Sequence, residues 1–164
     1  MILNFKKLFA DKTGTISFDY GMDLSSAEVD GVRPFVSPVR VRGSAVAKDG
    51  FVQLEACASF DFSVPCDRCA RQTDRHFEYS FSHALVRSLE NEGDGRFIEV
   101  RGEELDLDEL MREDILLELP TKFLCREDCR GICPVCGKNL NDGPCGCDPQ
   151  ADEARFDILK NLIH

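Results

Sequence analysis

Six cysteines fall within 23 residues in the stretch CREDCRGICPVCGKNLNDGPCGC, from Cys125 to Cys147. With Cys66 and Cys69 they form four close pairs, Cys66-x2-Cys69, Cys125-x3-Cys129, Cys133-x2-Cys136 and Cys145-x-Cys147, and Cys57 stands alone. Two thiolates on one tight turn can both face a single tetrahedral ion, and a following glycine lets the backbone turn sharply around it. CPVCG at 133–137 has that form. Its complement is Cys145 with Cys147, reached across a loop of turn residues that include Asn139, Asn141, Gly143 and Pro144. Cys133, Cys136, Cys145 and Cys147 are therefore the first predicted metal set. Cys66, Cys69, Cys125 and Cys129 make a second set, which has to join distant segments of the chain. Zinc is preferred over an iron-sulfur centre, although sulfur ligation alone is compatible with both.

The metal is expected to be structural. A hydrolytic zinc keeps a position open for water and usually has histidine or carboxylate ligands. His76, His83 and His164 lie at no ligand spacing from one another. Residues 65–69 match the P-C-x-x-C half of a zinc deaminase, but the H-x-E half, which must come earlier, is matched only afterwards at 76–78. No phosphate-binding glycine loop or nucleophile elbow occurs, so the chain reads as a non-enzyme. The alternative is a thiol-based redox protein or sensor using Cys66 and Cys69. Against it, a thioredoxin-type pair opens a helix in a βαβ unit, whereas this pair follows a strand that reads as antiparallel.

Composition sets the wider frame. The 164 residues are 43% apolar, ordinary for a globular protein, and no apolar run approaches the ~18 residues of a membrane span. The amino-terminal stretch lacks the features of a signal peptide, so the chain reads as cytosolic, a compartment where thiols stay reduced. Thirty acids against twenty bases give −10, the wrong sign for a grip on phosphates. Residues 90–119 alone hold twelve acids and three bases. That run reads either as a solvated face or as a surface for a basic partner such as a ribosomal protein. Direct RNA contact would fall around Lys122, Arg126, Arg130 and Lys138, where Glu127 and Asp128 are interspersed.

The elements that must position the cysteines come from periodicity. Alternation predicts strands at 15–20, 39–47, 52–64, 77–86 and 97–100, with Val52, Leu54, Ala56, Ala58, Phe60, Phe62 and Val64 on one face of the longest. Cys57 then lies on the outer face. Residues 23–38 read as loop, with Ser25 or Ser26 able to cap a brief helix, and 90–95 as an exposed loop. Asp106 and Glu109 precede Leu110, Met111 and Ile115 in a capping pattern, so the main helix is expected at about 106–119, ended by Pro120. A short final helix is expected at 153–163. The fold class is α+β: an antiparallel sheet, open or curled toward a barrel, in a domain at 1–120, followed by a cysteine-rich zinc module at 121–164.

With these residues assembled, the chain resembles the YceD-type large ribosomal RNA subunit accumulation family. The likeness rests on PCDRCA, on LDLDELMREDILLELP and on LCREDCRGICPVCGKNLNDGPCGC. Where the family's carboxy-terminal helix opens with Asp-Pro-Arg, this chain has Glu153-Ala154-Arg155. The resemblance implies a non-catalytic role in the synthesis, processing or stability of large-subunit (23S) ribosomal RNA. The partner it suggests is a large-subunit ribosomal protein or a pre-ribosomal particle.

Overall fold

Period-two alternation makes most of the secondary structure in a computed structural model that describes residues 1–11, 13–88 and 97–147. In order come β1 (Ile2–Asn4), α1 (Lys6–Asp11), β2 (Thr15–Met22), β3 (Val39–Lys48), β4 (Phe51–Pro65), β5 (Gln72–Val86), β6 (Phe97–Glu99), β7 (Glu104–Asp106) and α2 (Leu107–Glu118). They belong to two units. The first takes Met1–Ser63 and Asp74–Pro120; the second joins Val64–Thr73 to the segment from Thr121 on.

β4 is the centre of the first unit's sheet, in which the order is β2-β3-β4-β5-β6. All seven apolar residues of its alternating face, Val52 to Val64, are buried. β2 with β3 and β3 with β4 are antiparallel. Side-chain bonds linking Gln53 to Ser82, Cys57 to Glu78 and Ser59 to His76 advance along β4 while they retreat along β5, so this pair is antiparallel too.

Two expectations need correction. The sheet is open, not barrel-like: β2 and β6 are its edges, and the three residues of β6 offer too little backbone to seal the eight of β2. Nor is it wholly antiparallel, because β6 runs parallel to β5, with Ala84 opposite Phe97 and Val86 opposite Glu99. Parallel pairing requires the chain to return to the same end of the sheet before β6, which a tight hairpin cannot do. β1 and β7 form a separate antiparallel pair.

The 23–38 segment forms no helix. Asp23, rather than Ser25 or Ser26, organises its first turn by accepting from Ser25 N at 2.8 Å. Asp30 and Gly31, both at positive φ, make the turn between the bridged Val29 and Val32. Phe35 then packs on Phe60 and Phe62, with ring centroids 5.2 Å from each. The main helix forms where its pattern placed it. Asp106 caps it by accepting from Asp108 N at 3.0 Å, and Leu107, Met111 and Ile115 are fully buried one turn apart. Asp114 Oδ2 lies 2.7 Å from His83 Nε2 and ties α2 to β5. Among the described residues no helix is long and apolar enough to cross a membrane. The loop expected at 90–95 and the helix expected at 153–163 lie outside the described residues.

Gly43 gives this sheet a sharp test. A Cβ there would strike Glu55 O and come within 2.7 Å of Phe18 Cζ, the ring that covers the glycine from the opposite register position. Gly43→Ala is expected to destabilise the chain by about 1–3 kcal/mol, read as a lower urea midpoint at unchanged slope. An unchanged midpoint would mean that the close packing of β2 and β4 on Gly43 is wrong.

Candidate metal centres

The second unit is built around the same knuckle twice. In the first, Cys66 N donates to Arg71 O at 2.9 Å and Ala70 N to Cys66 O at 2.8 Å. In the second, Cys133 N donates to Lys138 O at 2.8 Å and Gly137 N to Cys133 O at 2.9 Å. Ala70 and Gly137 occupy the same place, at φ 55° and 73°. That left-handed conformation suits glycine and costs alanine, which hid the equivalence of PCDRCAR and ICPVCGK in the sequence.

Hydrogen bonds bring the distant segments to the first knuckle. Asp67 N donates to Phe123 O at 2.8 Å, and Phe123 N returns a bond to Asp67 Oδ2 at 2.6 Å. This clamp lays the approach to Cys125 alongside Cys66. Arg68 Nη1 donates to Cys129 O at 2.9 Å, and Gly131, at φ 75°, passes so close to Arg68 that a Cβ would lie 3.0 Å from its carbonyl oxygen. None of these contacts had a sequence signal beyond the cysteine spacing itself.

The sulfurs end in two groups of four. Those of Cys66, Cys69, Cys125 and Cys129 lie within 4.8 Å of one another, as do those of Cys133, Cys136, Cys145 and Cys147. Cys66 and Cys129 are 3.8 Å apart and Cys69 and Cys125 3.6 Å, far beyond a disulfide bond. A tetrahedron of sulfurs at about 2.3 Å from a central zinc has edges of about 3.8 Å. The donor set and spacing thus fit a single four-coordinate ion, and both clusters could hold one. They differ in exposure: Cys66, Cys69 and Cys129 are buried, whereas in the other group Cys133 is buried and Cys136 exposed.

Electrostatics within each group are uneven. Burial works against the Cys66 thiolate, but backbone N–H groups, including those of Arg68 and Cys69, bring its pKa down to about 6. The N–H groups of Cys136 and Val135, equivalent in the second knuckle, bring Cys133 to about 7. Cys129 is lowered chiefly by the Asn141 side chain. Cys125 is pushed up to about 12, first by burial and then by sharing its proton with neighbouring sulfurs; Cys147 is pushed up to about 12, first by its bond to Cys136. A divalent ion reverses this by favouring the thiolate at every ligand.

Cys57 sits apart on the outer face of β4, 3.3 Å from Glu78 Oε1. Nearby, one arrangement gave no sequence signal. Ser59 Oγ is 3.2 Å from His76 Nε2, and His76 Nδ1 is 2.8 Å from Asp61 Oδ1, the connectivity of a hydrolytic triad. The His76 and Asp61 side chains are 59% and 60% exposed, and β4 is paired on both sides, so the three groups lie on a solvated face of the sheet. The bond to His76 holds Asp61 below the usual carboxylate range, as expected of a solvated cross-strand pair.

A family model described as "Large ribosomal RNA subunit accumulation protein YceD" matches residues 54–163, a span that contains both knuckles. The chain belongs to this family. It is similar to "Uncharacterized protein YlbN" of Bacillus subtilis (strain 168), 31% identical over 63% of this chain. Two proteins called "Large ribosomal RNA subunit accumulation protein YCED homolog 1, chloroplastic" are also similar. The one from Arabidopsis thaliana is 24% identical over 79% of this chain and the one from Zea mays 23% over 80%. The chain spans 62%, 50% and 56% of those three proteins' own lengths. No solved structure matches it.

Two outcomes follow from the knuckles. Nothing lies within 4 Å of a Cβ built on Gly137, so Gly137→Ala carries only the cost of its positive φ. It is expected to lower stability by about 1–2 kcal/mol in a zinc-loaded thermal or urea melt. Second, Cys125 and Cys147 hold protons at neutral pH that an incoming ion must displace. Zinc binding at pH 7.5 is expected to release at least about one proton per site, seen as a calorimetric enthalpy that varies with the buffer's ionisation enthalpy, and affinity falls as pH falls. A buffer-independent enthalpy would contradict the assigned protonation.

Proposed function

We propose that this chain is a non-catalytic factor in the synthesis, processing or stability of large-subunit ribosomal RNA. In this reading two zinc ions, one held by Cys66, Cys69, Cys125 and Cys129 and one by Cys133, Cys136, Cys145 and Cys147, give the second unit its shape. The family match over 54–163 carries the ribosomal part of the reading, and two relatives are named for large ribosomal RNA subunit accumulation. The sulfur spacing supports a mononuclear ion, since a larger iron-sulfur cube would hold its cysteines farther apart. The zinc module comprises residues 121–164 together with the inserted 64–73 knuckle.

The partner is better sought among basic proteins than bare RNA. On α2, Glu109, Glu113 and Glu118 are exposed and Leu117 is 85% exposed, a surface suited to a basic segment with an apolar anchor. The bases of the second unit are largely committed within it: Arg68 to Cys129 O, Arg71 to Asp142, Arg126 to Asn141 and Asp128, and Lys138 to Pro144 O. Its six bases and four acids before residue 148 leave little positive charge, which two tetrathiolate zinc sites of about −2 each would outweigh. The redox alternative has weaker support, because Cys66 and Cys69 are buried beside two further sulfurs.

Depletion in the source cell is expected to lower large-subunit relative to small-subunit ribosomal RNA, with rescue by wild type and not by Cys133→Ser/Cys136→Ser. Unchanged particle profiles would contradict the assembly role. Lys122→Glu/Arg130→Glu in a zinc-loaded chain, which leaves Arg126 on Asn141, tests the RNA question: unchanged co-sedimentation with pre-ribosomal particles is expected, and loss would favour a direct RNA grip.

A further inference from the structure

Asn141 is a polar side chain that metal spacing alone does not explain. It lies in the turn Leu140–Asp142, inside the loop that Cys136 and Cys145 close, yet its side chain reaches the other cysteine group. Asn141 Nδ2 donates to Cys129 Sγ at 3.3 Å and to Asn139 Oδ1 at 2.8 Å. Its Oδ1 accepts from Arg130 N and from Arg126 Nη2, both at 2.8 Å. Two donors converge on the oxygen, so the amide has one orientation, with nitrogen toward sulfur. The same loop is sewn to the Cys129 segment by Leu140 N bonding to Gly131 O at 2.9 Å and by the bridge between Ile132 and Asn139.

We infer that the two cysteine groups bind metal cooperatively, and that Asn141 is the positioning residue that couples them. The inference rests on both groups being metal sites, as proposed above. Closing Cys133, Cys136, Cys145 and Cys147 around an ion fixes the 137–144 loop, and with it the N–H···S bond that steadies Cys129 as a ligand of the other ion. Partners of this kind set ligand orientation and are worth about ten- to a hundredfold in metal affinity. Coupling is reciprocal, so an ion on the Cys66 group must tighten the Cys133 group by the same factor. The more exposed group thereby acts as the latch of the more buried one.

The test is a cobalt titration of the full-length apo chain under reducing conditions, following thiolate-to-cobalt absorption, with zinc competition to obtain affinities. Cys133→Ser/Cys136→Ser is expected to weaken binding at the Cys66 group by about tenfold or more. Asn141→Asp is the incisive variant, because it still accepts from Arg126 and Arg130 N but cannot donate to Cys129. In the otherwise intact chain it should weaken the Cys66 group by about the same factor, and added to Cys133→Ser/Cys136→Ser it should cost little more. Wild-type affinity in Asn141→Asp, or losses that simply add, would overturn the coupling while leaving two metal sites. Absence of cobalt–thiolate absorption in the wild type would overturn the metal reading and the coupling with it.

Discussion

Sulfur packing is the constraint on which the second unit depends. Among its described residues, Val64 and Phe123 are the buried apolar side chains that are not cysteines, and Cys66, Cys69 and Cys129 form a buried cluster with Leu124 and Cys125 against it. Burial on that scale cannot offset the entropy of ordering a loop-rich segment. Four thiols held within 4.8 Å gain little from one another, and neighbouring thiolates repel. A divalent ion changes the sign of that interaction, and its binding energy becomes folding energy. The first unit needs no such device, because β4 and α2 supply an ordinary apolar core from Val52 to Phe62 and from Leu107 to Ile115.

Much of this was legible in the sequence, and the failures have physical causes. The long alternation set β4 and its buried face, and the capping residue Asp106 set the start of α2, because both signals are local. The parallel β6 and the open edges depend on how the chain returns after β5, which no period reports. At the cysteines, spacing and glycine made ICPVCGK recognisable. PCDRCAR makes the same turn with Ala70 paying the left-handed cost, so its likeness appears only in the backbone bonds. Asn141 looked like one more turn residue. Its bond to Cys129 spans twelve positions and connects two cysteine groups, a relation that spacing rules do not encode.

Charge is distributed between the units in a way that bears on partners. The acids of 90–119 belong to the first unit, where Glu109, Glu113 and Glu118 leave α2 exposed and anionic. Arg68, Arg71, Arg126 and Lys138, though exposed, bond to a carbonyl, a carboxylate or an asparagine of the same unit, so they brace the knuckles. This distribution is what the proposal of a basic protein partner, rather than a bare phosphate backbone, rests on.

The proposal that two tetrathiolate ions hold the second unit together is read out by elemental analysis of the full-length chain, purified under reducing conditions and exchanged free of loose metal. Two zinc ions per chain are expected. One ion or none would contradict the proposal, and would leave the eight clustered sulfurs of Cys66 to Cys147 without the cation that justifies their packing.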